Sequence, residues 1–220
     1  MTQYFDSKRK LMIVEEIRRW VEYVLSVPSD HFNGLPPCPY AKQAWARKEV
    51  KVVFGGREQV GIVLGDWPEN ADIVIIVVVD PLEYEDLNDW CDEQNEELKL
   101  EDITLMPFVP GETIDTGQPD EEMTNWDPLI EEEYAMIFVQ SLTELETASK
   151  NLKSKGYYKN CASEFMEYVR KRSERAQHAW QEENEEANEE EVNEENACQE
   201  DVPKKALNAE SSDPKKGKEK

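Results

Sequence analysis

Seven consecutive residues, Ile73-Val-Ile-Ile-Val-Val-Val79, are all isoleucine or valine and stand between Asp72 and Asp80. β-Branched side chains are stiff at χ1 and pack well on a pleated surface, so the run predicts a strand. It is apolar at every position, not at alternate ones, and a strand of that kind is covered on both faces. It is also far too short to span a bilayer. A two-sided strand needs layers above and below it, which points to a sheet with helices on both sides.

The flanking segments fit that architecture. Val50–Phe54, Ile103–Val109 and Tyr134–Gln140 read as further strands, while Val60–Leu64 is ambiguous between a strand and a buried helical turn. Ser7–Leu25 predicts the first helix, with Ile13, Ile17, Trp20, Val21 and Val24 recurring at three- and four-residue steps. Asp80-Pro81 is a helix-start signature and opens a helix carrying Leu87, Trp90, Cys91 and Leu98. That helix, set between Ile73–Val79 and Ile103–Val109, predicts a right-handed crossover and therefore some parallel pairing. Thr143-Glu-Leu-Glu146 reads as a capping box opening a helix to Ser154. A last helix runs from Tyr157 to about Trp180, with Ala162, Phe165, Val169, Ala176 and Trp180 on one face. The expectation is an α/β fold: a single, partly parallel sheet of about four to five strands with helices packed on it.

Behind this body the composition changes. Glu182–Asp201 holds eleven Asp or Glu and no Lys or Arg, with only Val192 and Cys198 able to offer much apolar surface. Such a stretch cannot bury enough area to offset the entropy of ordering it. We therefore expect one α/β domain over 1–181 and a disordered tail over 182–220, acidic and then lysine-rich. Glu and Ala in the tail favour extending the preceding helix, whereas like charges three and four residues apart oppose it, and the sequence leaves that point open. The formal net charge is −24; the acidic run contributes −11 and Val202–Lys220 contributes +3, which leaves −16 on the body. That balance argues against direct binding to nucleic acid or to an anionic membrane, and it suits a basic protein partner.

The N-terminus, Met-Thr-Gln-Tyr-Phe-Asp, has no basic region leading into an apolar run, so no signal peptide is expected. Cysteines 38, 91, 161 and 198 show no close pairing, and reduced thiols in the cytoplasm are the expectation. There is no Cys-x-x-Cys, no His-x-x-x-His and only two histidines, so no metal site is expected, and no cofactor is indicated. Acidic pairs such as Glu15-Glu16 read as solvated faces, as does the basic cluster Arg170-Lys171-Arg172 with Arg175, pairing with Glu167, Glu174 or the tail.

The segment His31-Phe-Asn-Gly-Leu-Pro-Pro-Cys38-Pro-Tyr40-Ala-Lys42 is the most unusual in the chain. A cysteine just ahead of a helix faces free N–H groups and the positive end of the dipole, which stabilise a thiolate. Lys42 lies one turn in and adds positive charge, and His31 is placed to deprotonate the thiol. Cys38 and His31 are thus candidate catalytic residues. The alternative is a rigid corner starting a helix, with Cys38 acting as a small apolar residue. Ligands in open α/β sheets gather beyond the carboxyl ends of the strands. Tyr40, Lys42, Asp80, Asn125 and Trp126 are therefore candidate ligand-binding residues, the last two from the long polar loop 110–128. For Asp80 the competing reading is a plain helix cap.

Cys38-Pro-Tyr-Ala41 is similar to the redox tetrapeptide of glutaredoxins, with Ala41 at the resolving position. More widely, Trp20-Val-Glu22 followed by Cys38-Pro-Tyr-Ala-Lys42 and Val50-Lys-Val-Val53 resembles the bacterial domain of unknown function family numbered 1415. There a helix with Trp-x-Glu leads into Leu-Cys-Pro-Phe-Ala-Lys and a strand. Val79-Asp80-Pro81, Phe108-Val109-Pro110 and Thr124-Asn125 fall where that family has His-Pro, Phe-His-Pro and Thr-Asn-Arg. The likeness spans roughly the first 155 residues in motif order. It implies a fold relative and a cleft but no reaction. Asp80 and Val109 stand where the family has histidines, and Trp126 where it has arginine. Two functional classes follow: a small-molecule enzyme or binding protein using Cys38, or a non-enzymatic acidic protein that binds a basic partner.

Overall fold

The computed structural model describes residues 6–78, 80, 86–109 and 134–200, with side chains as far as 182. Its strands are β1 (Val50–Gly55), β2 (Ile73–Val78), β3 (Ile103–Phe108) and β4 (Ala135–Ser141), in the sheet order β1-β2-β4-β3. β1 and β2 run parallel, with Val50 opposite Ile73 and Gly55 opposite Val78. β4 is antiparallel to both of its neighbours. The fold is α/β, with one mixed sheet.

The expected crossover takes a different form. β2 and β3 point the same way, but β4 lies between them, and the parallel neighbours are β1 and β2, joined through α3 (Glu58–Gly65). The ambiguous Val60–Leu64 segment is thus helical. Burial accounts for the order. Val74–Val78 of β2 and Ala135–Val139 of β4 are buried throughout, so these two strands take the centre. β1 and most of β3 are half-buried, and Pro107, which cannot donate to a ladder, sits in the edge strand β3.

Both faces of β2 are covered. Val74, Ile76 and Val78 pack with Val60 and Val63 of α3 and with Leu87, Cys91 and Leu98 of α4 (Leu87–Leu98). Ile75 and Val77 pack on the other side with Ile13, Ile17 and Trp20 of α1 (Ser7–Trp20). Trp45 of α2 (Ala41–Arg47) joins that second layer. Asp6 caps α1 by accepting from the Arg9 N–H at 2.7 Å. The exposed edge of β3 is closed by a side chain: buried Asn95 on α4 donates to the Leu105 carbonyl at 3.0 Å and accepts from the Leu105 N–H at 2.6 Å. A side-chain amide thereby stands in for a neighbouring strand.

α4 begins at Leu87 with Asp86 before it, and residues 81–85, on which the expected Asp80-Pro81 start falls, lie outside the described residues. Two helix starts differ from expectation. α5 (Leu142–Ser154) is capped by Ser141, whose hydroxyl accepts from the Glu144 N–H at 3.1 Å. The Ser-x-x-Glu signal therefore lies two residues ahead of the Thr143 box. Asp102, reaching over from the loop before β3, fixes this start by accepting from the Thr143 N–H at 2.7 Å and from the Ser141 hydroxyl at 2.6 Å. Tyr157–Asn160 is a separate 3₁₀ turn, and α6 (Ser163–Glu200) starts only after it.

The chain divides into two compact units at Trp180/Gln181. The backbone assignment of α6 extends to Glu200. Residues 201–220, the end of the expected tail, lie outside the described residues. Among the described residues no helix is long and apolar enough to cross a membrane.

Candidate functional site

The Cys38 segment is built on an irregular helix end. α1 continues into one π turn, Val21–Leu25, and the Ser26 hydroxyl donates to the Val21 carbonyl at 2.6 Å. The Leu25 carbonyl accepts from the Cys38 N–H at 2.9 Å, which ties the returning loop to the helix it left. Between them Asn33 and Gly34 both have positive φ, as a tight reversal requires, and Ser29 bridges Leu35 across it.

A distant segment clamps this loop. Phe32 stacks on Tyr157 with ring centroids 4.5 Å apart, and both are buried beside Leu152. The Tyr157 hydroxyl donates to the Pro37 carbonyl. Asn160 donates to the carbonyls of Asp30 and His31, and Asn33 donates to the Lys155 carbonyl at 2.9 Å. These bonds hold the residue preceding Cys38, and the turn before it, against the end of α5.

Cys38 is a half-buried free thiol, and burial pushes its pKa up, with the backbone N–H groups of Tyr40 and Ala41 offsetting only part of that. Tyr157 is pushed up too, by burial first and then by the neighbouring Cys38 thiol. Among the described residues no hydrogen bond joins His31 to Cys38; the His31 Nε2 is buried without a partner, and its ring meets the edge of Phe32. Tyr40 and Lys42 are exposed, and α2 behind them has seven residues. Asp80 is exposed beyond the carboxyl end of β2, whereas Cys38 meets Leu25 and Tyr157. Asn125 and Trp126 lie outside the described residues. Among the described residues no three His, Cys, Asp or Glu gather closely enough to hold a metal ion.

The polar chemistry of the interior lies elsewhere. Arg172 and Arg175, expected on a solvated face, are buried, whereas Arg170 is exposed and paired with Glu167 and Glu174 as expected. For Arg172 the cause is Glu146 on α5, itself buried, which accepts from Arg172 Nε at 2.6 Å and from the Ser173 hydroxyl at 2.6 Å. Arg172 Nη2 also donates to Ser149 at 2.6 Å, and Ser149 shares a hydrogen bond with Tyr158. The sequence carried a signal for this: Arg172 falls three residues after Val169 and four before Ala176, on the apolar stripe of α6. Glu16 is likewise buried rather than solvated, and it accepts from the Tyr134 hydroxyl at 3.1 Å.

These features define a class: a mixed-sheet α/β protein whose cysteine corner is a clamped loop and whose last helix carries a buried ion pair. Compared with protein-family models, curated proteins and solved structures, the chain matches none. The likeness to the family numbered 1415 therefore rests on motif order alone.

Proposed function

We propose that this protein is a non-catalytic binding protein that engages a lysine- or arginine-rich protein segment through the acidic part of α6. The observation that carries the reading is the continuity of α6 from Ser163 to Glu200. Between Glu182 and Glu200 that helix bears ten Glu and no Lys or Arg. At 1.5 Å per residue this is about one negative charge per 3 Å of helix, within a factor of two of the spacing of roughly 1.7 Å on duplex DNA. An array this dense repels itself, and a cationic segment lying along it relieves that repulsion.

The Cys38 corner supports the same reading. A thiol raised by burial, without a hydrogen-bonded base, is a weak nucleophile at neutral pH. The raised thiol and the Tyr157 clamp suit a structural corner. Free thiols at Cys38, Cys91 and Cys161 suit a reducing cytoplasm, where we place the protein. Kinship with the family numbered 1415 is part of the proposal and adds no reaction to it.

The test is titration of the full chain with an arginine-rich peptide. The native chain should bind, and a variant with the ten glutamates of 182–200 changed to glutamine should lose at least tenfold in affinity. Equal binding by the two would refute the role given to α6.

A further inference from the structure

Between α4 and α6 lies a cleft of about 400 Å³, lined by Asp92 of α4 and by Glu164, Glu167, Tyr168, Lys171 and Arg175 of α6, among others. That volume falls in the range of small-molecule sites, which runs from about 300 to 1,000 Å³. Its inner wall has an unbalanced charge. Arg175 is only 9% exposed, and its closest carboxylate oxygen, on Glu96, is 4.0 Å away. Glu96 is itself exposed and also meets Lys99. The second terminal nitrogen of Arg175, Nη2, is buried with no hydrogen-bond partner among the described residues, and the Tyr168 hydroxyl is buried beside it, with the Arg172 guanidinium as its polar neighbour.

Arg172 packs over the Tyr168 ring at 5.8 Å, but its charge is matched by Glu146. Arg172 thus has the buried carboxylate of Glu146, whereas Arg175 has only the exposed carboxylate of Glu96 at 4.0 Å. A guanidinium does not shed its proton to escape this cost, so the remedy left to it is an anion. At the rim the sign reverses. Asp92 and Glu164 are exposed and form no ion pair among the described residues; the Tyr168 hydroxyl is pushed up by burial first and by Asp92 last, against the pull of Arg172 and Arg175.

We propose that this cleft binds a small zwitterion of the α-amino acid type. The carboxylate meets Arg175 and Tyr168, and the ammonium group faces Asp92 and Glu164. The two inner polar atoms are closed off from solvent, so binding must uncover them. Charge-assisted bonds are stronger than neutral ones, and the second charge selects zwitterions over simple anions.

The experiment is calorimetric titration of the full chain with each of the twenty α-amino acids, and with acetate and methylammonium as separate halves. At least one amino acid should bind ten times more tightly than either half. Arg175→Gln should weaken it at least tenfold. Asp92 is exposed, so Asp92→Asn leaves the fold intact; it should weaken amino acid binding several-fold and leave acetate unchanged. The proposal is overturned if no amino acid binds the native chain at millimolar concentration. It is equally overturned if Asp92→Asn binds as the native chain does.

Discussion

At Cys38 two opposing influences meet, and burial wins. The N–H groups of Tyr40 and Ala41 favour the thiolate, yet the net shift is upward because the thiol is packed away with Tyr157 behind it. Iodoacetamide should therefore label Cys38 in the folded chain at pH 7 more slowly than an unperturbed thiol, and label it fully once the chain is unfolded. Rapid labelling of the folded chain, read by mass spectrometry, would restore the nucleophile reading. Cys91 makes the same physics visible in stability. Its pKa is pushed up from about 9 to about 12, by burial first and by Asp92 second. Above pH 9 the unfolded thiol ionises while the folded one stays neutral, so stability is full below pH 9 and falls as pH rises towards 12. Cys91→Ala lowers stability at neutral pH but should flatten that alkaline fall, as followed by denaturant midpoints across the pH range.

The elements show which contacts local pattern can reveal. The strand at Ile73–Val78 and the amphipathic α1 were legible because both depend on spacing within a few residues. Strand order was not, because β4 arrives after residues 110–133 and its place depends on which strands bury most completely. Neither was the clamp, since Tyr157 reaches Pro37 across 120 positions and no spacing rule links them. Arg172 was legible in part: its place on the α6 stripe was visible, its partner Glu146 on another helix was not. Glu146→Ala leaves that guanidinium buried without its carboxylate and should cost about 3–5 kcal/mol, measured by urea unfolding. Asn95→Ala strips both partners from the Leu105 backbone and should cost about 2–4 kcal/mol. A cost below 1 kcal/mol at either position would contradict the burial argued for it.

For the whole molecule, charge is the property that reaches furthest. A net −16 on residues 1–181 is joined by the acidic part of α6, so the chain is acidic in both of its units. The sequence announced this charge; what it left open was whether the acids of the tail would be carried on a helix, because propensity and repulsion point in opposite directions there. The helical backbone assignment of α6 runs through this stretch to Glu200. The chemistry proposed for the α4–α6 cleft is independent of this, because it rests on Arg175 and Tyr168 in the first unit.

The most direct measurement is the salt dependence of affinity between the full chain and an arginine-rich peptide. If the acidic part of α6 is the binding element, affinity falls steeply between 50 and 200 mM salt, roughly tenfold or more for a contact of several charges. Changing the ten glutamates to glutamine should flatten that slope. If the two slopes are the same, or if the native chain does not bind the peptide even at 50 mM salt, the acidic helix is not the functional surface.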